Sequence, residues 1–240
     1  QIPLAYPENG IGLDVGRQLL AAQTTAKDGL VYTTTTTGWL FGIDTLTHSV
    51  LWARKLSTDE PDSREDQMLR DAGMFVPDLP SLRKAWRSQP PIPAGDYLLV
   101  PTAESEKLMC VDARNGKVRS SSVSTSGFTV VLHSDPERLV VASPESIVSY
   151  SLPKLKKLWT LKLAEAMSPP VGPGALQGDD LYVPLADGSA AVVLMTDGTL
   201  KQTLKRFRPA WSTGGLYAAH GKILSHAPDH LTLLAQEPAT

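Results

Sequence analysis

One strand-ending pattern recurs along this chain, and a recurring unit decides a fold class before any single residue is interpreted. The first copy reads Gly42-Ile43-Asp44-Thr45-Leu46-Thr47-His48-Ser49-Val50-Leu51-Trp52. The second reads Cys110-Val111-Asp112-Ala113-Arg114-Asn115-Gly116-Lys117-Val118-Arg119-Ser120. Their frame is an Asp, then Thr or Asn three places on, Gly or a substitute at four, and Trp at eight. A third copy, residues 151–159, keeps Trp159 but begins on Ser151. A fourth, residues 194–202, keeps Asp197-Gly198 but ends on Gln202.

The unit reads as a hairpin. An Asp at the turn accepts a backbone N–H from two residues on, closing an Asx-turn. Gly, or Asn, then supplies positive φ at little steric cost. A Trp eight residues after the Asp falls on the returning strand, where its face can cover the neighbouring sheet. Asp44, Trp52, Asp112, Gly116, Trp159 and Gly198 are therefore read as structural repeat positions, with turn and packing roles rather than catalytic ones. Short apolar runs at 29–32, 97–100, 138–141, 180–183 and 221–224 precede the turn positions Asp44, Asp112, Ser151, Leu194 and, by extrapolation, Ala235. After a longer first gap these positions follow one another at about forty residues, the length of one four-stranded propeller blade. The expectation is an all-β chain: a β-propeller, or propeller segment, of antiparallel four-stranded blades over residues 1–240, with about five repeats visible.

The long first gap holds an insertion, residues 57–89, of which residues 57–70 are charged and have no β-rich run. Ser63 with Asp66 makes a start resembling a capping box, and residues 64–72 suit a brief helix before Gly73. Pro77, Pro80, Pro90, Pro91 and Pro93 break any longer one. A partly helical excursion between the first two blades is expected. Two readings stand open: a solvated surface loop, or a partner-binding loop anchored by Met74, Phe75 and Trp86. At the other end, the fifth repeat stops soon after its turn position. Residues 1–16, with Ile11-Gly12-Leu13-Asp14-Val15, are one candidate for its missing outer strand; blades from outside this chain are the other.

Composition agrees with a β protein that can bury a real core: 240 residues, 42% hydrophobic, with 19 prolines and 18 glycines for turns. A net charge of −2 gives no electrostatic case for nucleic acid. The basic clusters Lys154, Lys156, Lys157 and Lys201, Lys205, Arg206, Arg208 read as edge protection against strand pairing. No run approaches a membrane-spanning length. No signal-peptide pattern opens the chain, which begins at Gln1; a processed product or a segment of something longer both fit. Cys110 is the only cysteine, so no intrachain disulfide can form, and its apolar strand context predicts burial.

The frame small-x-Asp-x-x-Thr-Gly-x-x-x-Trp is similar to the tryptophan-docking repeat of the PQQ-like (quinoprotein- and BamB-like) β-propeller family. The resemblance covers most of the chain. It departs from the pattern at His48 for Gly, at Ser120 and Gln202 for Trp, and at Ser151 for Asp. Residues 89–95 and 168–171 look like the openings of inner strands of such blades. Residues 86–116 and 214–225 resemble PQQ-like domains embedded in large multidomain bacterial envelope proteins. The resemblance implies a periplasmic or envelope setting and partners that are other protein chains or domains, with no nucleic acid and no direct membrane span. It also raises PQQ with Ca²⁺ as a cofactor. Many dehydrogenases of this kind stack the quinone on a vicinal disulfide, which needs two adjacent cysteines, and hold Ca²⁺ with converging carboxylate and amide oxygens. This chain has one cysteine. Fold likeness does not carry function with it. The expectation is a protein-binding or assembly scaffold with no catalytic, cofactor-binding or metal residues, and no cofactor. The alternative is a degenerate or partner-completed PQQ-dependent oxidoreductase.

Other chemistries have weaker signals. His220, His226, Asp229 and His230 are close in sequence, but they read as turns at opposite ends of one strand, which keeps ligands apart. There is no Gly-x-Ser-x-Gly, no Gly-x-x-x-x-Gly-Lys and no Gly-x-Gly-x-x-Gly. Trp39, Trp86 and Trp211 stand off the docking position, as core or as binding-face residues.

Overall fold

A computed structural model describes residues 23–35, 39–56, 68, 71–73, 90–101, 107–124, 127–128, 130–204, 215–220, 222–226 and 231–234. Every named element among them is a strand. The chain divides into two compact units, Gln1–Ser126 and Gly127–Thr240.

The first unit holds two blades. Blade 1 runs β1 (Gln23–Lys27), β2 (Leu30–Thr34), β3 (Trp39–Asp44) and β4 (Val50–Lys55). Blade 2 runs β5 (Ile92–Ala94), β6 (Tyr97–Pro101), β7 (Lys107–Asp112) and β8 (Val118–Ser124). The second unit holds three. Blade 3 is β9 (Val130–Ser134), β10 (Arg138–Ala142), β11 (Ser146–Ser151) and β12 (Lys156–Lys162). Blade 4 is β13 (Ala175–Gln177), β14 (Asp180–Pro184), β15 (Ala190–Leu194) and β16 (Leu200–Leu204). Blade 5 shows β17 (Gly215–Ala219), β18 (Lys222–His226) and β19 (Leu231–Leu234). In each sheet the strands pair in chain order, and every pairing is antiparallel. The five apolar runs of the repeat are the second strands, β2, β6, β10, β14 and β18.

In β6, β10 and β14 these runs lack the alternation of a half-exposed sheet because each face is covered. Blade 4 shows how. On β14, Leu181 and Val183 enter the core shared with blade 3, while Tyr182 between them enters the core shared with blade 5. On β15, Ala191 and Val193 face one way, and Ala190 and Val192 the other. Strand period two thus divides one apolar run between two neighbours. In the first unit, Tyr32, Leu40 and Leu56 of blade 1 pack on Leu98, Val100, Met109 and Val111 of blade 2. Fourth strands are different: β4 and β12 show mostly exposed or half-exposed residues, and Lys156 and Lys157 stand exposed on the β12 edge.

Of the insertion, only residue 68 and residues 71–73 are described, where Ala72 N–H donates to the Met68 carbonyl at 3.0 Å in a single turn. The rest of the expected helical excursion, and residues 1–16, lie outside the described residues. The expected inner-strand opening at 89–95 contains β5, whereas at 168–171 only Pro170 forms an isolated bridge, to Leu185, and the first strand begins at Ala175.

Candidate functional site: the docking turns between blades

The hairpin between the third and fourth strands repeats in atomic detail. Numbering from the turn position as zero, the N–H at +1 is tied within its own blade. Thr45 N donates to Gly29 O at 3.0 Å, Ala113 N to Asp96 O at 2.9 Å, Leu152 N to Glu137 O at 2.7 Å and Met195 N to Asp179 O at 2.8 Å. The turn closes when the N–H at zero donates to the carbonyl at +5, for example Asp112 N to Lys117 O at 2.8 Å. The Asp carboxylates accept as the Asx-turn requires. Leu46 N donates to Asp44 Oδ1 at 2.7 Å and Arg114 N to Asp112 Oδ1 at 3.0 Å. In blade 4 the acid sits at +3 instead, and Thr199 N donates to Asp197 Oδ1 at 2.8 Å.

These bonds favour the ionised acid. N–H groups of Leu46 and Thr47 hold the Asp44 carboxyl below its usual range, and the Thr199 N–H does the same for Asp197. Burial is the largest influence on Asp112 and pulls its pKa upward, but the Arg119 guanidinium and the Arg114 N–H together outweigh it.

Position +4 adopts positive φ in every blade where it is described: His48 at 54°, Gly116 at 69°, Leu155 at 53° and Gly198 at 79°. Two of these are not glycine, and the difference follows the tryptophans. Trp52 of blade 1 lies on Gly116 of blade 2, and Trp159 of blade 3 lies on Gly198 of blade 4. A Cβ added to either glycine would stand 2.5 Å from the indole. Each indole N–H then donates to the +1 carbonyl of the same turn, Trp52 Nε1 to Ala113 O at 3.1 Å and Trp159 Nε1 to Met195 O at 3.0 Å. Two arginines reinforce the docking: Arg54 Nε donates to Gly116 O, and Arg138 Nη1 donates to Met195 O at 2.9 Å.

Within its own blade, Trp52 also lies against Gly42, where an added Cβ would stand 2.4 Å from the ring. Across the third and fourth strands the pairs are Gly42 with Trp52 and Ser149 with Trp159. Blades without a Trp pair Cys110 with Ser120 and Val192 with Gln202. A small residue two places before the turn is therefore the seat for the indole. All four fourth strands carry a register shift beside this pair, leaving Leu51, Arg119, Leu158 or Lys201 as the extra residue. In blades 1 and 3 this bulge accompanies the +8 tryptophan that reaches the next blade. The extra residue points outward. Leu51 is 51% and Leu158 48% exposed, Arg119 pairs with Asp112 at 2.7 Å, and Lys201 pairs with Asp180 at 2.8 Å.

The sequence singled out Asp44, Trp52, Asp112, Gly116, Trp159 and Gly198; Asp112 and Gly116 lie in the turn that meets Trp52, Gly198 in the turn that meets Trp159, and Asp44 in the blade 1 turn, with Trp52 half-buried and Trp159 8% exposed. It missed Gly42, Ser149, the bulge residues and the two arginines. The signal for the seat was present as the small residue of the frame. Met74, Phe75 and Trp86 lie outside the described residues, as do Trp211, Asp229 and His230. His220 precedes β18 and His226 is its last residue; both are exposed.

No three His, Cys, Asp or Glu side chains gather as metal ligands among the described residues. Cys110 is sealed in β7, where burial pushes its thiol up to about 12, and it has no second cysteine to pair with.

Comparison with known proteins is consistent with this architecture. The sequence profile of a family described as outer membrane protein assembly factor BamB matches residues 63–206. No protein of curated function matches significantly. Among solved structures, BamB from Moraxella catarrhalis superposes with a TM-score of 0.57 at 16% identity, covering 89% of this chain and 60% of that one. The WD40 β-propeller domain of Doa1 gives 0.55 at 16% identity, covering 90% and 63%. Hsv2 from Kluyveromyces marxianus gives 0.60 at 12% identity, covering 90% and 60%. The chain thus spans about 60% of the length of that BamB structure. At these identities the structural likeness establishes the fold, a β-propeller.

Proposed function

This chain belongs to the family of the outer membrane protein assembly factor BamB, and we propose that it works as a non-catalytic, protein-binding scaffold within a larger bacterial envelope protein or complex. The observation that supports this reading is the division of labour at the repeat. Asp, Gly and Trp are committed to turns and to the next blade, while the outward bulge positions carry exposed Leu51 and Leu158. Isolated surface leucines are ordinary. Here they recur at one structural position beside both docked tryptophans, where a protein partner can cover them. Periplasmic or envelope location and partners that are proteins rather than nucleic acid belong to the same proposal. None of the helices among the described residues is long and apolar enough to cross a membrane.

Site-specific photocrosslinking tests the reading. A crosslinker at position 51 or 158, in the native cell envelope, is expected to trap a discrete protein band. Deleting residues 57–89 is expected to leave the β circular-dichroism spectrum and to remove the complex. Crosslinks that are absent at both positions, with the complex intact after the deletion, would refute the scaffold as drawn. Adding PQQ and Ca²⁺ is expected to give an absorbance spectrum equal to the sum of its components; a bound-quinone band would favour the oxidoreductase.

A further inference from the structure

The turn on which Trp52 rests contains a reactive pair. Asn115 is exposed, and Gly116 follows it without a Cβ to shield its nitrogen. We propose that Asn115 is a modification site, converting to aspartate and isoaspartate without an enzyme, and that docking of Trp52 sets the rate. The chemistry closes on the chain's own atoms and water. Gly116 N loses its proton to base and attacks Asn115 Cγ. The new C–N bond closes a five-membered succinimide as the Cγ–Nδ2 bond breaks and ammonia leaves. Water then opens one of the two imide carbonyls, leaving either an ordinary aspartate or an isoaspartate whose backbone runs through the former side chain.

The geometry both primes and restrains this step. Lys117 N donates to Asn115 Oδ1 at 2.9 Å, which polarises the carbon to be attacked. The nucleophile, however, is engaged: Gly116 N donates to Asp112 O at 2.9 Å. The Trp52 ring lies against Gly116, Arg54 holds the Gly116 carbonyl, and the indole N–H holds Ala113. Attack therefore requires the turn to open, and opening requires Trp52 to lift. An isoaspartate adds a backbone atom between Ala113 and Gly116, the two residues Trp52 reads, so the modified turn no longer matches its indole. The equivalent pair in blade 4, Asp197-Gly198 beneath Trp159, is an internal comparison. Its ionised carboxylate is a poorer electrophile and must lose water rather than ammonia.

The test incubates the folded protein at mildly alkaline pH and reads position 115 by peptide mass spectrometry with electron-transfer fragmentation. Digestion avoids trypsin, which cuts at Arg114 and Lys117. Protein unfolded in urea gives the ceiling rate, and Asn115→Gln verifies the assignment. Trp52→Phe keeps an aromatic face but loses the N–H donor. It is expected to raise conversion roughly fivefold over the parent, as for loss of one net hydrogen bond from the closed state. Arg54→Gln, which leaves the indole in place, is expected to raise it less and supplies the answer if Trp52→Phe does not fold. Equal rates in the parent and in the folded variants would overturn the gating. An intact Asn115 in all folded forms, after the unfolded chain has converted, would overturn the site.

Discussion

The two Trp-docked seams of the molecule are built to one plan and differ in its details. Between blades 1 and 2, Trp52 lies between Gly42 and Gly116; between blades 3 and 4, Trp159 lies on Gly198 and pairs across its own hairpin with Ser149. Both indoles donate to the +1 carbonyl. Yet Ser149 places a hydroxyl that is fully buried and has no hydrogen-bond partner among the described residues, where Gly42 places nothing. Trp159 is the more deeply buried, and Trp52 is the one that also meets an aromatic neighbour, Tyr32, at 6.1 Å between centroids. The comparison teaches that the docked turn has no side chain beneath the indole in either seam, while the paired position on the third strand is glycine in one and serine in the other. The first surface is backbone of another blade, held by its own turn bonds; the second is a strand pair that can spread.

The largest test of this contrast is truncation. Trp159→Ala is expected to cost about 3–5 kcal/mol in urea unfolding, the range for large buried aromatics. Trp52→Ala is expected to cost less, about 2–3 kcal/mol, because less of its area leaves water. A larger loss for Trp52 would show that Arg54 and Tyr32, rather than burial, dominate the first seam.

A seat exchange sharpens the same point. Gly42→Ser puts a Cβ inside the Trp52 ring's contact surface and is expected to cost about 1–3 kcal/mol through overpacking. Ser149→Ala removes the orphaned hydroxyl and keeps the Cβ. It is expected to stabilise by about 1 kcal/mol. A destabilising Ser149→Ala, measured by the urea midpoint, would show that the hydroxyl has a partner in solution.

The smallest effect is acid sensitivity of the turns. Asp44, Asp112 and Asp197 are held below the ordinary carboxylate range when folded. Their stabilisation is therefore complete above the unfolded pKa, about 4. It is lost as pH falls through the lower folded values. Thermal scans are expected to show the midpoint dropping below about pH 4, with a shallower drop in Asp112→Asn. An unchanged slope in that variant would remove Asp112 from the acid response.

Much of this was legible in the sequence because it is local. Asp44 and Asp112 bond N–H groups two residues away, so spacing alone reveals them. The second strands were legible too, since burial on both faces removes alternation and leaves runs such as Leu98-Leu99-Val100, all fully buried. Leu155 shows the limit. No propensity places a leucine in the left-handed region, yet it sits there, 4% exposed, because the hairpin's closing bonds impose that conformation.

The sequence by itself determined the repeat, the turn chemistry and the strand count per blade, since each rests on contacts a few residues apart. Only the tertiary structure decided where each tryptophan goes. The acceptor of Trp52 is 61 residues away and that of Trp159 is 36. The bulge that aims each ring is a mismatch between two strands, so no single strand encodes it. Docking distance, seat size and register exist only once the blades have formed, because all three are properties of surfaces that distant residues build together.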